Sequence, residues 1–131
     1  MLQEPERVAS EDDPHEYFDA AETEVATWLR RIGISVRAVR KYAKRRTPDG
    51  VFAHGTETVE LKTCNSSNVV TLSEQILKGS TQSSFVVVLT GVDDPITLRR
   101  GLGLALSANG RRLTRVILVL KGGGEYIEWR S

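Results

Sequence analysis

Residues 47–63 read TPDGVFAHGTETVELKT, and the fold turns on how this stretch is laid out in space. Thr47-Pro48-Asp49-Gly50 places Pro second and Gly fourth, which is good type I turn chemistry. The apolar pair Val51-Phe52 follows, His54-Gly55 reads as a turn, and residues 58–63 then alternate as a strand. Strand side chains point to alternate faces, so Val59 and Leu61 share one face while Glu60 and Lys62 share the other. If the two short strands pair as a hairpin, the start of one lies opposite the end of the other, and Asp49 arrives beside Glu60 and Lys62. Two carboxylates at one point repel unless a cation sits between them, and hard oxygen ligands select Mg²⁺ or a similar ion. Lys62 would position or activate a water while the cation stabilises charge on a phosphorane, which is the equipment of a metal-dependent phosphodiesterase. A plainer reading of the same residues is a polar turn followed by the wet face of a strand. On the first reading the three side chains form a surface cluster whose removal costs little stability.

The composition suits one soluble globule. The chain has 131 residues, 40% hydrophobic and 27% charged, long enough for a substantial core. The N-terminal stretch is acidic and polar, so no signal peptide is expected, and no apolar run is long enough to span a membrane. Neither a membrane nor a small-molecule cofactor is expected as a partner. Cys64 is the single cysteine, which excludes an internal disulfide and a multi-thiolate metal site; a buried small hydrophobe is expected there rather than a nucleophile. The net charge of +1 conceals an asymmetry: residues 1–24 hold nine acids and one base, residues 30–46 eight bases and no acid. A basic block ending just before Asp49 suits a polyanion, since phosphate contacts dominate nucleic-acid affinity. The alternative is a solvated basic face.

Residues 1–14 carry Pro5, Pro14 and many charges and read as a disordered leader, leaving 15–131 as a single domain. Ala21, Val25, Trp28, Leu29 and Ile32 recur at helical spacing and stop at Gly33. Strands are expected over 34–42, 51–53 and 58–63, then a helix over 69–78 ended by Gly79. The run Phe85-Val86-Val87-Val88-Leu89 reads as a buried central strand. Pro95 opens a third helix to Leu106, closed by Asn109-Gly110 and weakened by Gly101 and Gly103. Strands over 116–120 and 126–129 follow, around the Gly122-Gly123-Gly124 turn. Trp28 and Trp129 read as packing residues, and His54 as a loop histidine that a metal-free nuclease would use.

The resulting α/β order is helix, three strands, helix, strand, with an added helix and two strands. With Pro48-Asp49 and Glu60-x-Lys62 on the second and third strands, it resembles the PD-(D/E)XK nuclease superfamily, whose core is helix, three-stranded meander, helix, strand. More narrowly the chain resembles the C-terminal tRNase toxin domains of bacterial contact-dependent inhibition (CdiA-type) and related polymorphic toxins. The features shared are a Glu-bearing first helix ending in Gly33, Thr47-Pro48-Asp49, Glu60-Leu61-Lys62-Thr63, Asn68 and Gln82. The resemblance implies Asp49, Glu60 and the Leu61 carbonyl as ligands of Mg²⁺ or Mn²⁺, and Lys62 as the residue serving the water. Glu22 would complete the acidic cluster, with Glu24 as the alternative. Substrate contacts would come from Arg45, Arg46, Thr63, Asn68 and Gln82, although Asn68 and Gln82 also suit cap and turn roles. The implied substrate is nucleic acid, tRNA above all. The implied partner is a cognate immunity protein, and the implied setting is a secreted bacterial toxin acting in the cytoplasm of its target cell. A DNA endonuclease of the same superfamily and a non-catalytic nucleic-acid-binding module are the competing readings.

Overall fold

A computed structural model describes residues 8–40, 48–52, 57–91, 94–109, 112–121 and 125–131. Nine elements follow in order: α1 (Ala20–Arg31), β1 (Val36–Ala38), β2 (Gly50–Phe52), β3 (Thr58–Cys64), α2 (Val69–Ser80), β4 (Phe85–Thr90), α3 (Pro95–Asn109), β5 (Arg115–Leu120) and β6 (Tyr126–Arg130). The order of types matches the sequence expectation; of the strand expected over 34–42, β1 covers Val36–Ala38, and residues 41 and 42 lie outside the described residues. The six strands form one mixed sheet in sequence order. β1, β2 and β3 are an antiparallel meander, β3, β4 and β5 run parallel, and β6 returns antiparallel along β5.

That topology distributes the helices. Parallel neighbours need crossovers, and two successive right-handed crossovers moving the same way along a sheet put their helices on one face. α2 and α3 accordingly pack together over Val86, Val88, Val116 and Leu118. α1 covers the other face, where Val25, Ala26 and Leu29 meet Val59, Leu61, Phe85 and Val87. With both faces covered, β4 is buried along its whole length, which is why its sequence shows no alternation. Cys64 lies in the α2 layer as the small buried side chain expected of it.

The helix ends follow local chemistry. Asp19 and Glu22 form a reciprocal capping box at the start of α1. At its end Gly33 has φ +88°, and the amides of Gly33 and Ile34 donate to the carbonyls of Arg30 and Leu29, the pair of hydrogen bonds that a left-handed residue after a helix permits. Gly79 does not end α2, which continues through Ser80. A Cβ at 79 would lie 2.8 Å from Val86 Cγ1, so the glycine is there to let α2 approach β4. Gly101 does the same between α3 and α2, where a Cβ would sit 2.7 Å from Leu72 Cδ2. The glycines that weaken the sequence signal for a helix are thus one close contact and one open position, Gly103.

The expected leader is only partly a leader. Residues 1–7 lie outside the described residues, but Val8 bridges Val39, the Ala9 amide donates to the Ala38 carbonyl, and Ala9 is 1% exposed. Val8 and Ala9 therefore lie along the sheet edge beside β1, and the packed region begins before residue 15. The physical reason is that β1 would otherwise present an unpaired edge. Among the described residues no helix is long and apolar enough to cross a membrane.

Gly101→Ala and Gly103→Ala separate packing from helix propensity. Both gain about 0.5–1 kcal/mol of propensity, so Gly103→Ala should raise stability by that amount. Gly101→Ala should lower it by about 1–2 kcal/mol through overpacking against Leu72. Urea denaturation of the two variants measures both signs.

Candidate functional site

The meander fixes where Asp49 lies. Gly50 pairs with Val59 and Val51 with Thr58, so the next position sets Asp49 opposite Glu60. On its other side the Val39 amide donates to the Asp49 carbonyl at 2.9 Å. The side chains then lock the pair across the strands. The Asp49 amide donates to Glu60 Oε1 at 3.2 Å, and the Leu61 amide donates to Asp49 Oδ2 at 2.7 Å. Lys62 Nζ lies 3.2 Å from Glu60 Oε2. The antiparallel pairing expected of the two strands forms and brings Asp49, Glu60 and Lys62 together, while the expected His54-Gly55 turn lies outside the described residues.

The burial differs from the surface cluster that the sequence suggested. Asp49 is 3% exposed and Glu60 4%, because α2 closes over this face; Lys62 keeps 27% of its side-chain exposure. Removing a carboxylate from water costs several kcal/mol unless polar partners replace the water. Two main-chain N–H donors and one ammonium supply part of that replacement here. Gly79 contributes to the same arrangement, since a Cβ there would stand 3.4 Å from Glu60 Cγ. Nothing in the sequence marks that role beyond a glycine with apolar and small neighbours late in a helical pattern.

The other expected site residues divide. Gln82 follows Gly79 by one turn, and its amide donates to the Gly79 carbonyl. Its side-chain Oε1 is buried without a hydrogen-bond partner among the described residues, an acceptor still in need of a donor at this end of α2. Asn68 is elsewhere. It caps α2, accepting from the amides of Val70 and Thr71, and it precedes Gly79 by eleven residues, about 16 Å of helix. Strand alternation puts Thr63 on the face opposite Glu60 and Lys62. Arg45, Arg46 and His54 lie outside the described residues.

The first-helix acids are also engaged away from the pair. Glu22 Oε1 accepts from the Asp19 amide in the capping box, and Glu24 pairs with Lys121 at 2.9 Å. α1 packs on the Val59 and Leu61 face, and among the described residues no three His, Cys, Asp or Glu side chains cluster to hold a metal. The donor set is a carboxylate pair rather than a triad. A pair still fits Mg²⁺, which commonly binds through one or two carboxylates and completes its shell with water and substrate phosphate.

No family model matches the chain, and no curated protein does. Among solved structures the chain is similar in fold to the CdiA-CT/CdiI toxin and immunity complex from Burkholderia pseudomallei. The TM-score is 0.61 at 18% identity, over 84% of this chain and 82% of that one. At that identity the likeness is one of fold, a mixed α/β architecture.

Because Asp49 Oδ2 satisfies a buried amide, Asp49→Ala should cost about 1–3 kcal/mol by orphaning the Leu61 N–H. Asp49→Asn keeps an acceptor oxygen and should cost clearly less. Chemical denaturation of the two variants checks this; equal losses would place the stabilisation outside that hydrogen bond.

Proposed function

We propose that this chain is a metal-dependent endonuclease of the PD-(D/E)XK type, cleaving RNA and most readily tRNA, as the C-terminal toxin domain of a contact-dependent inhibition or related polymorphic toxin system. The observation that carries the reading is the buried pair of Asp49 and Glu60, hydrogen-bonded across β2 and β3 with the Lys62 ammonium on Glu60. Fold likeness to a contact-dependent toxin supports the toxin role. That neighbour is a toxin in complex with its immunity protein, which supports a cognate immunity partner for this chain.

Asp49 and Glu60, with the Leu61 carbonyl, would hold Mg²⁺ or Mn²⁺. Bound there, the cation supplies Lewis-acid stabilisation of charge gathering on the phosphoryl oxygens. The chain's own residues do the rest. The hydrogen bonds from Asp49 N–H and Leu61 N–H fix both carboxyl groups before substrate arrives, so little reorganisation is needed at the moment of reaction. Lys62, held by Glu60 and still partly open to solvent, presents N–H donors that orient a water or a phosphate oxygen beside the pair. Gln82 offers its amide to a water or substrate group that satisfies the buried Oε1. Eight bases between residues 30 and 46 precede Asp49 in the sequence and would favour a polyanionic substrate.

RNA is favoured over duplex DNA because no helix-turn-helix or comparable major-groove reader is present among the described elements. Folded RNA is recognised by shape, phosphates and exposed bases, which a small basic surface can supply. On this reading the domain is delivered into the target-cell cytoplasm, and the producing cell is protected by an immunity protein that covers the basic segment.

The test is a brief digest of total RNA and plasmid DNA, with Mg²⁺ or with excess chelator, followed by sequencing of the fragment ends. The expected result is Mg²⁺-dependent cleavage of tRNA at one or a few positions, lost by at least a hundredfold in Asp49→Asn, Glu60→Gln and Lys62→Ala. The three losses should be far from additive, since the residues act as one unit. Cuts in plasmid with tRNA intact would assign a DNA endonuclease instead. Full activity in any folded variant, or in chelator, would overturn the site.

A further inference from the structure

The two edges of the sheet are treated differently. At the β1 edge the chain covers itself: Val8 bridges Val39, the Ala9 amide donates to the Ala38 carbonyl, and the Ala38 amide donates to the Pro14 carbonyl. At the other edge β6 pairs with β5, and among the described residues no strand or bridge pairs with its outer side.

Two hydrogen bonds show which main-chain groups of β6 are left over. The Leu120 amide donates to the Glu125 carbonyl, and the Ser131 amide donates to the Thr114 carbonyl. Hydrogen-bonded and non-bonded pairs alternate along an antiparallel ladder, so the odd-numbered residues of β6 turn their N–H and C=O groups to β5. Those of Tyr126, Glu128 and Arg130 point outward. Such a row is a template for another strand, and native edges commonly guard it with Pro, Lys or a bulge. Residues 125–131 hold no Pro, Gly or Lys, and the register with β5 runs unbroken from Tyr126 to Arg130. The charges within β6 are turned on each other rather than outward: Glu128 Oε2 accepts from Arg130 Nε at 2.7 Å and from Arg115 Nε at 2.6 Å.

The strand also complements its own reverse. Laid antiparallel to a second β6 with the two-fold axis at Glu128, Tyr126 faces Arg130 of the second copy and Ile127 faces its Trp129. The first pair sets a phenol ring against a guanidinium, and both side chains are open to it, at 45% and 65% exposure. The second pair joins two half-buried side chains that already pack on the α2 and α3 layer. At the axis two carboxylates meet, which alone would repel, but Arg115 and Arg130 of each copy surround them with guanidiniums. The facing pairs 126 with 130, 128 with 128 and 130 with 126 each exchange two main-chain hydrogen bonds. A slip of two residues either way loses one of these pairs.

We propose that the outer edge of β6 is the contact surface for a second copy of this chain, the two strands pairing antiparallel about Glu128 and joining the two six-stranded sheets into one. The proposal does not depend on the nuclease reading. A strand of five residues buries less than a standard interface, so the dimer is weak and reversible, with a Kd on the order of 10 µM.

The experiment is sedimentation velocity of the full chain from about 1 to 500 µM, a range that brackets such a Kd, and the mass should rise from monomer to dimer across it. Arg130→Pro removes an outward N–H at both ends of the contact and spares the bonds to β5. Tyr126→Lys sets like charges face to face at both ends. Each should weaken association at least tenfold with the thermal unfolding midpoint little changed. Oxidative crosslinking reads the register. Tyr126→Cys mixed with Arg130→Cys should form a disulfide between the two variants, because facing Cα atoms lie about 5.5 Å apart. Either variant alone should not, because its two copies of the cysteine would stand about 14 Å apart. Cys64 is buried and takes no part. A monomer throughout the concentration range would overturn the proposal and leave the edge to a strand of another protein. Undiminished association in folded Arg130→Pro or Tyr126→Lys would place the contact elsewhere and overturn it as well. A disulfide in either variant alone, with none gained on mixing, would contradict the register.

Discussion

The hydrogen bond from the Leu61 amide to Asp49 Oδ2, answered by the Asp49 amide on Glu60 Oε1, is the constraint on which the first half of the structure depends. It joins β2 to β3, which share two register pairs among the described residues. A hairpin that short is marginal by main-chain pairing alone. With the side chains included, the two carboxylates become part of the ladder, and the same contacts that hold the meander fix the geometry of the candidate site. Stability and chemistry are therefore coupled at Asp49 in a way that a surface cluster would not show.

The opposite face of that constraint is burial. Carboxylates at 3% and 4% exposure persist because α2 comes close enough to exclude water and because donors replace it. Gly79 makes the approach possible, Val86 sets its limit, and Lys62 keeps one side open. The two-layer cover of the sheet then fixes what each helix can contribute. α2 lies on the Glu60 face, so Gly79 stands against Glu60. α1 lies on the Val59 face, so Glu22 serves its own cap and Glu24 reaches Lys121 instead.

Much of this was legible in residues 47–63. Period-two alternation separated Glu60 and Lys62 from Val59 and Leu61, and the His54-Gly55 turn signal between the two strands implied the antiparallel sense that sets Asp49 opposite Glu60. The unbroken apolar run from Phe85 marked the central strand, and Gly33 the end of α1. What was not legible depended on tertiary contact. No local pattern says that Gly79 and Gly101 are interior residues at helix crossings rather than breakers. A polar, charged N-terminus gives no sign that Ala9 will pair against β1, because that pairing is a main-chain event. The burial of the carboxylates depended on which face α2 would cover. The third acid failed for a related reason: helix spacing places Glu22 and Glu24 on the wheel but not on a sheet face.

The most direct test of the central claim is to ask whether the Asp49 and Glu60 pair takes up a divalent cation. Crystals of the chain soaked in Mn²⁺ and measured at the manganese absorption edge should show one anomalous peak within bonding distance, about 2.0–2.3 Å, of both carboxyl groups. The peak should vanish in Glu60→Gln. A lattice that binds Mn²⁺ elsewhere and shows no peak between Asp49 and Glu60, with both side chains ordered, would contradict the account.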